Sequence, residues 1–172
     1  PITVQVQSGF TWHDGFQFNA SSRNRGSSMR NITFEDAQFG LTIKDSNPVI
    51  EDAYFDNVDL VGIDMFDSAS PVIRRSTFQD GGQDVHGSMT NWRYGIGLSV
   101  GAGSAPFVDD VTFDNQITRA ISYWRHRCGL LRNNNILNDG GATLNISARV
   151  IMEDSRVMGD DLKISRCDPA IC

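Results

Sequence analysis

Residues 46–57 read SNPVIEDAYFDN, and residues 69–80 read ASPVIRRSTFQD. Each stretch contains Pro-Val-Ile, then four residues, then Phe, then one residue, then Asn or Asp. Looser copies of the same phrase begin at Ile32, Pro106, Gly129 and Val150. Self-similarity of this kind is typical of repeat architectures, so it has to be interpreted before any single element.

The large apolar residues that close successive copies are 16, 23, 35, 23 and 21 residues apart. No window of eleven residues keeps its apolar residues at helical spacing. The β-branched and aromatic residues are instead interrupted by Asn, Asp, Gly or Pro, which favours short strands. A period near 23 of such strands predicts a β-solenoid. We therefore expect one all-β domain over residues 1–172, a parallel β-helix of about seven coils with surface loops at 19–30 and 81–94.

Stacked coils bury apolar faces that one coil cannot bury alone. One inward column is expected to contain Phe34, Ile50, Ile73, Val108, Leu131 and Met152. A second is expected to contain Phe39, Phe55, Phe78, Phe113, Ile136 and Val157. Two residues later come side chains that tolerate left-handed backbone and predict a structural corner ladder, namely Asn57, Asp80, Asn115 and Asn138. In the same stacking Arg74-Arg75 follows Glu51-Asp52, which predicts ion pairs between coils.

The phrase Ser/Ala-x-Pro-Val-Ile-x-Asp-x-x-Phe-x-Asn resembles the pectate-lyase-like repeat of right-handed parallel β-helix proteins. The resemblance covers residues from Ile32 to Val157 closely and the flanks loosely. It implies a right-handed helix and a secreted or cell-surface protein. Members of that superfamily include polysaccharide lyases, hydrolases, adhesins and passive spacers, so the resemblance implies a fold and not one activity.

The hydrolases of that superfamily share Asn-Thr-Asp, Asp-Asp, Gly-His-Gly and Arg-Ile-Lys segments. Only Asp-Asp occurs here, at Asp109-Asp110 and Asp160-Asp161. Neighbouring strand residues point to opposite faces, so neither pair places two carboxylates across one glycosidic bond. The histidines also lack the spacing of metal ligands. We therefore expect no catalytic residue, no metal and no cofactor, and we interpret the chain as a structural protein.

The insertion at 81–94 suggests an alternative, because loops that leave a rigid scaffold often carry binding sites. Trp rings and carboxylates are groups that bind sugars. The candidate ligand-binding residues are Trp12, His13, Asp84, His86, Trp92 and Arg93. The alternative functions are therefore a glycan-binding adhesin module and a carbohydrate-active enzyme, while packing of the loop on the wall of the helix explains the same residues.

The formal charge of −6 and the pI near 4.9 argue against a nucleic-acid partner, because phosphate contacts need clustered Lys and Arg. No apolar run reaches the roughly 18–20 residues of a membrane helix, so no membrane insertion is expected. An extracellular or cell-surface location is supported by N-glycosylation sequons at Asn19, Asn31 and Asn145.

A solenoid presents an open strand edge and an uncovered core at each end, and no amphipathic helix in the sequence predicts a cap. The expected partners are therefore adjacent coils, from a longer protein or from copies of this chain that stack head to tail into a filament. Cys167 and Cys172 are candidates for a local disulfide, and a free or intermolecular thiol is the alternative. Cys128 is expected to lie two coils from Cys167, roughly 10 Å away, which is too far for a bond.

Overall fold

A computed structural model describes residues 2–5, 15–82, 95–101, 103–124, 128–146 and 149–164. This part of the chain forms eighteen strands and one 3-10 turn, at Ala20–Ser22. The strands are β1 (Ile2–Gln5), β2 (Phe16–Phe18), β3 (Ser28–Arg30), β4 (Ile32–Glu35), β5 (Phe39–Lys44), β6 (Val49–Glu51), β7 (Tyr54–Asp56), β8 (Val61–Phe66), β9 (Val72–Arg74), β10 (Thr77–Gln79), β11 (Ile96–Val100), β12 (Phe107–Asp109), β13 (Thr112–Asp114), β14 (Arg119–Tyr123), β15 (Cys128–Arg132), β16 (Asn135–Ile146), β17 (Arg149–Glu153) and β18 (Arg156–Ile164).

The described strands pair in parallel and form three faces of one helix. Face 1 is a six-stranded sheet of β3, β6, β9, β12, β15 and β17. Face 2 contains β1, β4, β7, β10, β13 and the first part of β16 and β18. Face 3 contains β2, β5, β8, β11, β14 and the last part of β16 and β18. Each coil therefore passes through faces 1, 2 and 3 in turn.

This architecture confirms the predicted all-β parallel β-helix. The strands complete about five turns. The sequence predicted about seven, because that number also included the copies near the two termini.

The interior is a set of columns that run along the helix axis. In one, the rings of Phe34, Phe55, Phe78 and Phe113 stack with centroid separations of 4.9, 4.4 and 4.9 Å and interplanar angles of 8° or less. In another, Ile50, Ile73, Val108 and Leu131 are fully buried. The spacing between strands in a sheet is about 4.8 Å, so the register of the strands itself sets the distance between the rings.

The predicted columns are wrong in one coil. Phe34 pairs with Phe55, whereas Ile50 pairs with Met29 of β3. Phe39, predicted to join the Phe column, pairs with Val61 on face 3. The copy at Ile32 therefore begins on face 2. The preceding face 1 strand is β3 (Ser28–Arg30), which occupies the last three residues of the predicted loop at 19–30.

Corners follow the strands of faces 1 and 2 at residues with left-handed backbone. After face 2, Asp36, Asn57, Asp80 and Asn115 have φ values of 51–52°. Asn57 Nδ2 donates to Asp36 Oδ1 at 2.9 Å, and Asn115 Nδ2 donates to Asp80 Oδ1 at 2.6 Å. These residues tolerate that conformation because their short polar side chains bond locally.

Asn138 is not part of this corner, which corrects the predicted ladder. It pairs with Gly159 inside the continuous strand β16. The pairing of β16 with β18 shifts register between Asn138 and Ala142 and again before Leu144. A bulge of this kind bends a strand without ending it, so no left-handed corner is needed in that coil.

Candidate functional site

The outer surface of face 1 carries a column of alternating charge, which we call the charge ladder. It consists of the last residue of each face 1 strand, in the order Arg30, Glu51, Arg74, Asp109, Arg132 and Glu153. The parallel register places Arg74 and Arg132 each between two anions along the helix axis, and it places Arg30, at the end of the sheet, next to Glu51. Directly opposed charges of opposite sign stabilise neighbouring strands, so the ladder favours this one stacking of the coils.

Glu51 is the most enclosed member of the charge ladder, with a side chain that is 1% exposed. Arg30 Nε lies 2.6 Å from Glu51 Oε2, Arg74 Nε donates to Oε1, and Arg75 Nη2 lies 3.5 Å from Oε1. Burial alone would raise the pKa of Glu51. The hydrogen bond from Arg74 and the charges of the three arginines outweigh it and hold the pKa below its usual value.

Two further ion pairs between coils are bidentate. Arg75 donates from Nε and Nη2 to the two carboxylate oxygens of Asp52 at 2.9 and 3.1 Å. Arg132 does the same to Asp109 at 3.0 and 2.8 Å, and these hydrogen bonds lower the pKa of Asp109. The predicted ion pairs between Arg74-Arg75 and Glu51-Asp52 are confirmed.

The variant Glu51→Gln is expected to lose less stability on acidification than the parent chain. The pKa of Glu51 is lower in the folded chain, so its ionised form stabilises the fold above about pH 4.5. That contribution is lost as the pH falls through the folded-state pKa. Thermal melts from roughly pH 7 to 3 measure it, and the melting temperature of the parent should fall more steeply below pH 4.5.

Asp67→Asn is the matched control for this comparison. Lys44 Nζ lies 3.4 Å from Asp67 Oδ2, and both side chains are more than half exposed. Exposed pairs contribute little, so this curve should stay parallel to that of the parent. A Glu51→Gln curve that coincides with the parent curve at every pH would contradict a stabilising role for the Glu51 charge.

Beside the charge ladder runs a second outward column, which we call the apolar stripe. It consists of Val49, Val72, Phe107, Leu130 and Ile151, in register on consecutive strands. The first four are partly buried, and Ile151 is 61% exposed. The guanidinium of Arg132 lies 5.1 Å from the centre of the Phe107 ring. Face 1 therefore presents an apolar strip bordered by alternating charges.

The outer surface of face 2 is acidic. Glu35, Asp56, Gln79 and Asp114 form its outward column, and Tyr54 Oη donates to Gln79 Oε1 at 2.8 Å. Burial, followed by the charges of Asp80, Glu35 and Asp36, raises the pKa of Asp56. Among the described residues, no group of three or more His, Cys, Asp or Glu side chains is arranged to hold a metal ion.

The outer surface of face 3 is more enclosed. Ser99 and Ser122 alternate with core residues and are nevertheless 8% and 0% exposed. The Arg119 guanidinium lies 5.4 Å from the centre of the Trp124 indole. Its Nε and Nη1 are buried and donate no hydrogen bond within the described part of the chain. Burial lowers the pKa of Arg119. This face follows directly on the insertion, since residue 95 leads into β11.

The predicted ligand-binding residues stay a prediction. Trp12, His13, Asp84, His86, Trp92 and Arg93 all lie outside the described residues.

Of the predicted glycosylation sequons, Asn19 is exposed and accepts a hydrogen bond from Ser21 N at 3.1 Å. Asn31 is exposed at a corner with φ 51°, and Asn145 lies in β16. Glycosylation of these residues also stays a prediction.

The described part of the chain contains one of the cysteines. Cys128 is disulfide-bonded, and the chain has three cysteines. Cys167 and Cys172 lie outside the described residues. The expected separation of Cys128 from Cys167 and the predicted local bond between Cys167 and Cys172 therefore stay predictions.

The charge ladder and the apolar stripe were not predicted as surfaces. The signal is present in the repeat, at the residue before and the residue after the inward aliphatic one. The alternation of charge is complete only when Arg30 is placed on face 1. The sequence predicts a loop at Arg30, and the ladder is therefore not detected from the sequence alone.

A family model described as a right handed beta helix region matches residues 3–136, more than half of the chain. No curated protein and no solved structure matches the chain. Among the described residues, no helix has the length and apolar character needed to cross a membrane.

Proposed function

This chain belongs to the right-handed β-helix family, and from that premise we propose that it is an extracellular structural solenoid without catalysis. Its role is mechanical. It is a rigid segment of a surface protein or a subunit that stacks head to tail in a filament. In both cases its end coils bind further coils.

The exposure of core columns at the last described coil carries this proposal. Met152 continues the column of Leu131, and Val157 continues the column of Ile136. Leu131 and Ile136 are fully buried, whereas Met152 and Val157 are each 37% exposed. Apolar side chains at positions that are buried in the four preceding coils favour the stacking of another coil on them.

The carboxylates of face 1 also suit cohesion better than proton transfer. Glu51 is held by three arginines and Asp109 by a bidentate contact from Arg132. A general acid needs a raised pKa near the working pH, whereas the pKa values of both groups are lowered. These contacts join successive coils and resist their separation.

The purified chain is expected to form rods longer than one chain, and Val157→Lys is expected to shorten them to single-chain length. A lysine at this position would place a charge in the contact between coils, where it has no partner. Negative-stain electron microscopy over a concentration series measures rod length. Thr112→Lys, an outward substitution in the middle of face 2, is the control and should leave rod length unchanged.

A parent chain that keeps single-chain length at every concentration would contradict stacking by copies. Rods that persist in the Val157→Lys variant would show that another surface joins the subunits.

A further inference from the structure

The charge ladder has an even number of members and strictly alternating signs. It begins with Arg30 on β3 and ends with Glu153 on β17. Reversal of such a column turns every cation into an anion at the same height. The ladder of one chain therefore complements the reversed ladder of an identical chain at every position.

From this symmetry we propose that face 1 is an interface through which two copies pair face to face with antiparallel helix axes. The two-fold axis lies along the strand direction, between β9 and β12. It places Arg74 opposite Asp109 of the second copy, and Arg30 opposite Glu153 of the second copy. This lateral pairing goes beyond the proposed stacking of coils at the ends, and it uses a different surface.

Four of the five members of the apolar stripe pair with each other about the same axis, and Ile151 lies opposite Ser28 of the second copy. Val72 lies opposite Phe107 of the second copy, and Val49 opposite Leu130 of the second copy. The arrangement puts partly exposed apolar side chains at the centre and charges along one rim, as in other protein interfaces. A parallel pairing about an axis along the helix places the two ladders at opposite edges, where they do not meet.

The arginines of the charge ladder remain available for a second copy. The side chains of Arg30, Arg74 and Arg132 are 58%, 41% and 42% exposed despite their contacts within the chain. Six strands with a spacing of about 4.8 Å extend over about 24 Å along the helix axis. An interface of this length is small compared with the interface areas of stable complexes. We therefore expect a concentration-dependent dimer that salt weakens.

Charge reversal at the two ends of the ladder tests the pairing directly. Arg30→Glu and Glu153→Arg each bring like charges together across the interface and should weaken dimerisation about tenfold. The double variant restores opposite charges and should return the dissociation constant to within about twofold of the parent value. Sedimentation equilibrium at about 0.1 M salt, where the Debye length is about 10 Å, measures it.

This rescue distinguishes the dimer from a role within the chain. The two residues lie five strand spacings apart, about 24 Å, beyond the Debye length at ordinary salt. Direct coupling between them inside one chain is therefore negligible. Head-to-tail stacking would also bring Glu153 next to Arg30 of another copy, because the two residues lie at opposite ends of face 1. The charge variants are therefore made in the Val157→Lys background, where rescue requires that the two residues meet between chains in the antiparallel arrangement.

Two lysine variants locate the interface. Leu130→Lys in the apolar stripe should abolish the dimer, whereas Thr77→Lys on face 2 should leave it intact. Circular dichroism melts confirm that each variant is folded. All of these variants are made in the Val157→Lys background, which is expected to remove end-to-end rods. A species with the mass of two chains in that background then indicates pairing through face 1.

The proposal is overturned by a chain that stays monomeric throughout the micromolar range in that background. It is equally overturned by a dimer that survives Leu130→Lys, or by a double variant that is no tighter than the single ones. A dimer that is lost in Leu130→Lys and rescued by double charge reversal supports it.

Discussion

Replacement of Phe78 by alanine is expected to lower the free energy of unfolding by about 3–5 kcal/mol. The Phe78 ring is 1% exposed and lies between the rings of Phe55 and Phe113, at 4.4 and 4.9 Å. Its removal leaves a cavity inside the helix and breaks the stack in the middle. The coils cannot close the gap, because main-chain pairing holds them at the strand spacing. Urea unfolding followed by circular dichroism measures the change.

Thr77→Ala is the matched control for this prediction. Thr77 precedes Phe78 in β10 and points outward, where it is partly buried. Its replacement should change the free energy of unfolding by less than about 1 kcal/mol. A loss below about 1 kcal/mol for Phe78→Ala would mean that neighbouring side chains refill the column.

The repeat was sufficient to predict the fold, because Pro-Val-Ile and the later Phe mark the first two strands of a coil. The register of Phe55, Phe78 and Phe113 matches the predicted column. The error arose at Phe34, where the preceding strand reads Ser-Met-Arg. That strand contains neither a proline nor a pair of aliphatic residues, so it was taken for part of a polar loop, and the next strand was taken for the first of its coil.

The surface of face 1 was harder to predict than its interior. Inward positions repeat the same residue type, whereas the charge ladder changes sign at every step, and a search for similar residues does not detect it. Its significance depends on all six strands in correct register, including Arg30. The disulfide at Cys128 was also not predicted from the sequence.

A column of small residues on face 3 lies against the Phe stack. A Cβ atom at Gly62 would lie 2.6 Å from Phe78 Cδ1 and 2.7 Å from the carbonyl oxygen of Gly97. Gly40 and Gly97 meet Phe55 and Phe113 in the same way. The next member of the column is Ala120, which precedes the coil where Ile136 replaces the phenylalanine. The repeat itself therefore has an alanine where the aromatic ring is absent.

Gly62→Ala is expected to destabilise the fold by about 1–3 kcal/mol, because the added methyl group overpacks the core against the ring and the adjacent backbone. In the presence of Phe78→Ile the same substitution should cost about half as much or less, since the pair then copies Ala120 and Ile136. A double-mutant cycle from urea unfolding measures this coupling. Strictly additive effects would show that the Gly97 carbonyl, and not the ring, excludes a side chain here. The glycines would then be required by the close approach of adjacent coils alone.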